Sequence, residues 1–106
     1  MAEKNQDKLL TTMGLARKAG RLVYGYETVK DAIQKHKALL VLTASDLSAK
    51  TLSNVKFLCG EKVKHIPLDR TMEQFSAAVG KAAGVVAVVD EGFAKLIQGY
   101  LTDTRE

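Results

Sequence analysis

With a single cysteine, Cys59, the 106-residue sequence has no means of forming an intrachain disulfide or a cysteine-based metal site. Cys59 closes an apolar stretch, "VKFLCGEKV", and reads as a buried, inert thiol. Histidine is also scarce. His36 and His65 stand far apart without ligand-like spacing and read as surface residues, so neither a metal nor a cofactor is expected. No apolar run approaches the roughly 18 residues of a membrane span. The polar opening "MAEKNQDKLL" lacks the hydrophobic segment of a secretory signal, so the cytoplasm is the expected compartment. Linkers, low-complexity tracts and internal repeats are missing too. The 106 residues therefore read as one domain with one core, ordered over about 6–101.

Catalytic constellations are equally wanting. An enzyme of this size needs a nucleophile with a base, a carboxylate pair or a metal cluster. Asp46 and the neighbours Asp90 and Glu91 follow apolar strand-like runs, a common place for catalytic acids. Asp46 has no nameable partner, and adjacent carboxylates in an extended segment point to opposite faces. Helix capping is the better reading of Asp90. Neither "GLARKAG" nor "GKAAG" matches a phosphate-loop or dinucleotide fingerprint. The chain reads as non-catalytic.

Acidic residues are missing from one segment in particular. Between Asp7 and Glu27 stand Lys8, Arg17, Lys18 and Arg21 and no acid. The net charge of +4 lies entirely in residues 1–40, which hold eight Lys/Arg and four Asp/Glu; the remainder holds eight of each. The segment "GLARKAGRLVYGYETVK" (14–30) adds three glycines and two tyrosines to these cations. One reading is a solvated surface with two turns. The other is a surface for a phosphate backbone, since glycine admits close approach, tyrosine offers a stacking face and a helix N-terminus offers free N–H donors. Of Tyr24 and Tyr26, one is expected to face the core.

Periodicity supplies the elements. Leu9, Leu10, Met13, Leu15 and Ala16 follow helical spacing over about 6–18, with Gly20 as its C-terminal cap. "RLVYG" is a short strand. A helix follows from Tyr26, with Val29, Ala32 and Ile33 as its buried face. "ALLVLTA" (38–44) and "GVVAVVD" (84–90) are continuous apolar runs of strand length, suited to burial on both faces. Between them, Ser45 or Ser48 caps a helix with Leu52, Val55, Phe57, Leu58 and Cys59 as its inner face. "VKHIPL" (63–68) is a strand that Pro67 confines to an edge, and Thr71 caps the next helix. "EGFAKLIQGYL" is a closing helix, with "TDTRE" as a frayed tail. The alternation implies an α/β/α sandwich on a mixed, mostly parallel four-strand sheet.

Taken in order, "GLARKAGRLVYGYETVKDAI", "ALLVLTASDLSAKTLSNV", "HIPL" and "VGKAAGVVAVVDEGFAKLI" resemble the kink-turn RNA-binding family of ribosomal proteins. These are the large-subunit proteins seven-Ae and thirty-e and their small bacterial relatives, with a particular likeness to the short YlxQ-type members. The resemblance spans about residues 8–98. It implies a three-layer α/β/α sandwich and a non-catalytic, ribosome-associated monomer that recognises structured RNA bent at tandem sheared G·A pairs.

The family makes its main contact at the start of the second helix. Its pattern there is Gly, a spacer, Asn-Glu, two residues, then Lys. Glu27 and Lys30 match that offset. Tyr26 stands where the family has Asn, and Gly25 lies one residue closer to Glu27 than the family's glycine. The second contact is the loop before the last strand, matched by Lys81, Ala82, Ala83 and Gly84. The implied RNA-binding set is these four with Arg17, Lys18, Arg21, Gly25, Tyr26, Glu27 and Lys30. The basic residues would neutralise phosphates, and Glu27 would accept from guanine amino groups. The alternative is a protein–protein module on the same fold. Convergence of the cations on one face favours RNA, and scatter favours the module.

Overall fold

The computed structural model describes residues 7–103, with side chains to 101. Helix α1 (Lys8–Lys18) starts where the Asp7 carboxylate accepts the Leu10 N–H at 3.3 Å. It ends in a Schellman turn: the N–H groups of Gly20 and Arg21 return to the Arg17 and Ala16 carbonyls at 3.0 and 2.8 Å. Gly20 takes the left-handed φ of 75° that this turn requires. Then come β1 (Leu22–Tyr24), α2 (Tyr26–Gln34), β2 (Leu40–Thr43), α3 (Ala49–Cys59), β3 (Lys64–Pro67), α4 (Met72–Val79), β4 (Val85–Val88) and α5 (Glu91–Asp103). This is the alternation expected from the sequence. Ser48, not Ser45, caps α3 by accepting from Thr51 N–H, and Thr71 with Gln74 forms a capping box on α4. Thr102 and Asp103 of the tail belong to α5. The rest of the tail, and the start of the first expected helix at residue 6, lie outside the described residues.

The strands lie in the order β1-β4-β2-β3. Only β2 and β3 are parallel, and β4 runs antiparallel to both β1 and β2. The sheet is mixed as expected, but the mostly parallel reading is corrected. An apolar run reports burial on both faces and is blind to direction. Strand β4 enters the sheet from the end at which β1 and β2 finish, so it opposes both.

Alternation along the central strands divides the core in two. Leu40, Leu42, Val86 and Val88 face α1, α4 and α5, where Met13, Phe75 and Ile97 are fully buried. Val41, Val85 and Ala87 face α2 and α3, against Val29, Ile33, Val55 and Cys59. Burial pushes the Cys59 thiol pKa up, which suppresses the reactive thiolate. Gly14 lets α1 pack close to α4, since a Cβ there would stand 2.7 Å from the Ala78 carbonyl oxygen.

Two further expectations are corrected. Phe57 is not on the inner face of α3; it is 86% exposed. Val55 and Cys59 define the buried side, and at about 100° per residue Phe57 lies roughly 200° round from Val55. His65 is half-buried rather than on the surface, with Nε2 3.0 Å from Thr43 Oγ1 across the β2–β3 pair. Burial, and then the positive charge of Lys56, hold its pKa below the ordinary 6.5.

Candidate functional site

The antiparallel register of β1 on β4 sorts the candidate residues to two ends of the sheet. At one end, Val89 N–H bonds to Arg21 C=O at 2.9 Å; at the other, Gly25 N–H bonds to Val85 C=O at 3.0 Å. The α1–β1 turn, with Arg17, Lys18 and Arg21, belongs to the first end. The start of α2 and the loop from Gly80 to Gly84 belong to the second. The two helix ends of the 14–30 segment therefore do not meet: strand β1 separates them.

At the Gly25 end, α2 begins at a glycine with φ of 93° and no side-chain cap. Its first-turn N–H groups face outward, as suits an incoming acceptor. Glu27 is exposed in that first turn, Lys30 half-exposed one turn on, and neither has an ion-pair partner among the described residues. The same Gly25–Val85 bond ties this turn to the loop before β4. In that loop Lys81 and Ala82 are exposed, Gly84 is half-buried and Ala83 is buried, its N–H held by Ser76 Oγ at 3.1 Å. The structure thus brings Gly25, Tyr26, Glu27 and Lys30 together with the Lys81–Gly84 loop. The third strand end joins them, since Ala44 N–H bonds to Gly84 C=O at 2.9 Å.

Lys18 and Arg21 stand apart from this group. Arg21 Nε lies 3.9 Å from Asp90 Oδ1, the arginine exposed and the carboxylate half-exposed. Arg17 spans part of the gap, its guanidinium 5.5 Å from the centroid of the Tyr24 ring, a cation–π contact. Both tyrosines pack inward in part, on opposite faces. Tyr24 lies against the α1/α4/α5 core and Tyr26 against the α2/α3 core, so the expectation that one faces the core is half the answer.

Some supports of the site escaped the sequence reading. Asp46 accepts the Met72 N–H at 2.8 Å and so caps α4 from the β2–α3 loop. A Cβ on Gly84 would meet Met72 Sδ at 2.7 Å and Leu47 Cδ1 at 2.9 Å, so glycine lets that loop close over them. These are loop-to-loop contacts, and periodicity carries no signal for them. Asp90 caps α5 through the Phe93 N–H at 2.9 Å, as expected.

The fold is thus a small α/β/α sandwich whose second helix starts without a side-chain cap, beside the loop before the last strand. The profile of the Ribosomal protein L7Ae/L30e/S12e/Gadd45 family matches residues 7–98, and the chain belongs to that family. It is 36% identical over 108 residues to a protein of Enterococcus faecium named RNA-binding protein YlxQ, covering 93% of this chain and 100% of that one. It is 38% identical over 88 residues to the protein of the same name from Bacillus subtilis (strain 168), covering 80% and 87%. Among solved structures, a protein of unknown function from Bacillus halodurans aligns with a TM-score of 0.80 at 29% identity, over 87% of this chain and 94% of the other. The Giardia lamblia 15.5kD RNA binding protein aligns with a TM-score of 0.76 at 14% identity, over 97% and 89%; it shares the fold.

Proposed function

We propose that this protein binds structured, kink-turn-like RNA without catalysing a reaction, in the cytoplasm and in association with the ribosome. The observation that carries this is the 3.0 Å bond from Gly25 N–H to Val85 C=O. It sets an uncapped helix N-terminus and the Lys81–Gly84 loop side by side as one surface. The first turn of α2 offers backbone donors to phosphate, Lys30 a point charge, and Glu27 an acceptor for guanine amino groups. The loop offers small side chains for an unstacked nucleotide. The names of the two YlxQ relatives support RNA as the partner. Tyr26 has no amide to read a base edge and packs partly into the α2/α3 core, so discrimination falls to Glu27 and the backbone. The bound RNA would be drawn from the bent members of its ensemble.

The test is a titration of fluorescent kink-turn RNA and a straight duplex at two salt concentrations. Wild-type protein is expected to prefer the kink-turn and to weaken with salt. The double substitution Glu27→Ala, Lys30→Ala is expected to lose tenfold or more of that affinity, as about 1–3 kcal/mol per base contact implies. Equal binding to the two RNAs would overturn the kink-turn reading.

One observation favours a second reading, a protein–protein module. The cations divide between two ends, with Lys18 and Arg21 away from Glu27 and Lys30. If the wild type binds neither RNA, this reading takes precedence.

A further inference from the structure

A surface that the proposed contact leaves unused lies on the α2–α3 side, toward the Arg21 end of the sheet. Two shallow depressions of about 410 and 550 Å³ adjoin there, with Cys59, Gly60 and Glu61 in the wall of both. His36, Phe57 and Lys62 line the first; Lys56 and Lys64 line the second. Phe57 projects into solvent at 86% exposure. Half-buried Leu58 continues the apolar surface inward from its ring. Lys56, Lys62 and Lys64 are exposed and have no ion-pair partner among the described residues, whereas Lys35 is paired with Asp31 at 3.4 Å. Glu61 is the one acid lining either depression. An open aromatic ring thus shares one depression with Lys62, and Lys56 and Lys64 line the adjoining one.

We propose that this surface is a second RNA contact, which holds a single-stranded segment by stacking a base on Phe57 while Lys56, Lys62 and Lys64 take its phosphates. Positive charge with an exposed aromatic face is the chemistry that single strands require. A duplex keeps its base faces covered and has no use for the ring. A partner helix would need apolar anchors at successive turns in a groove, and here the strongly exposed apolar group is one ring over shallow ground. Phenylalanine brings no hydrogen-bonding group, so the contact tolerates any base.

Helix α2 joins the two contacts. Its N-terminus forms the first and its last residue, Gln34, lines the depression beside Phe57. Its 9 residues span roughly 14 Å, a few nucleotides of extended strand. That continuity rests on the proposed function; the stacking surface itself does not.

Fluorescence anisotropy would use three probes: a short mixed-sequence single-stranded oligonucleotide, a blunt kink-turn RNA, and the same kink-turn with a single-stranded extension. Phe57→Ala leaves the core untouched, and circular dichroism checks its fold. It is expected to weaken oligonucleotide binding about tenfold, to abolish any gain from the extension, and to leave blunt kink-turn binding unchanged. Phe57→Trp should retain the wild-type behaviour. Lys62→Ala with Lys64→Ala should flatten the salt dependence by roughly two phosphate contacts. Oligonucleotide binding that survives Phe57→Ala and the lysine pair overturns the proposal. So does sedimentation showing that wild type self-associates and Phe57→Ala does not, since the surface then belongs to a second copy. Wild type that shows no preference for the kink-turn, yet binds the oligonucleotide in a way that Phe57→Ala and the lysine pair abolish, overturns the first reading and upholds this one.

Discussion

Glycines in the 14–30 segment differ in what they do, and substitution separates them. Gly14 sits against a carbonyl oxygen of α4, where no Cβ fits. Gly14→Ala should therefore force α1 and α4 apart and lower stability by about 1–3 kcal/mol, read as a shifted denaturation midpoint. Gly25 has open space around it but a φ of 93°. Gly25→Ala should cost about 1–2 kcal/mol through backbone strain; by re-aiming the first turn of α2, it should weaken RNA binding more than Gly14→Ala does. Tyr26 poses a different trade. On the RNA-binding reading, Tyr26→Asn restores an amide able to pair with a base edge, and should sharpen the preference for a kink-turn over a duplex. Its ring contacts in the α2/α3 core are lost, at about 1–2 kcal/mol of stability. His65 gives the pH dependence. Its pKa is lowered on folding, so the unfolded chain binds more protons near and below 6.5. Stability from this residue is present above 6.5 and falls as the solution is acidified through the folded pKa. His65→Gln should flatten that part of a stability–pH curve.

At the scale of elements, the caps carry more weight than the surface ion pairs. Asp90 illustrates this in one side chain. It caps α5 at 2.9 Å and also lies 3.9 Å from Arg21. Asp90→Ala should destabilise by about 0.5–2 kcal/mol, whereas Arg21→Ala should change stability by less than about 0.5 kcal/mol, since exposed pairs contribute little. Thermal melts of the two variants decide which role dominates. Asp46 works across elements, tying the β2–α3 loop to the first turn of α4. The segments from 43 to 47 and from 68 to 72 are thereby joined three times, since Ser45 N–H bonds to Arg70 C=O at 2.7 Å and Leu68 N–H to Thr43 C=O at 2.8 Å. This brace underlies the Lys81–Gly84 loop, whose Gly84 packs on Met72 and Leu47.

Across the whole molecule, the mixed sheet decides which surfaces exist. Because β4 opposes β1, the start of α2 and the loop before β4 share one end, and the α1–β1 turn goes to the other. Charge follows suit. On the RNA-binding reading, Lys30→Ala should reduce the slope of log affinity against log salt by about one. Lys18→Ala, on the far end, should leave it nearly unchanged. Measuring both slopes on one kink-turn RNA checks the division of the surface directly.

Element order, the two doubly buried strands, the cap residue Thr71, a serine cap on α3 narrowed to Ser45 or Ser48, and the pairing of Asp90 with a helix start were all legible in the sequence. Each depends on residues within a few positions of one another, where helical and strand periods and capping chemistry act. The resemblance placed Glu27, Lys30 and Lys81–Gly84 as a set, and the bond between Gly25 and Val85 makes them neighbours in space. Strand direction, the separation of Arg21 from Gly25 and the close packing at Gly14 depend on contacts between distant segments. So does the outward ring of Phe57, whose apolar character suggested a core position until the buried side of α3 was set by the sheet beneath it. Apolar content determines that a segment is covered; only the packing of the whole chain decides what covers it, and which residues it leaves facing out.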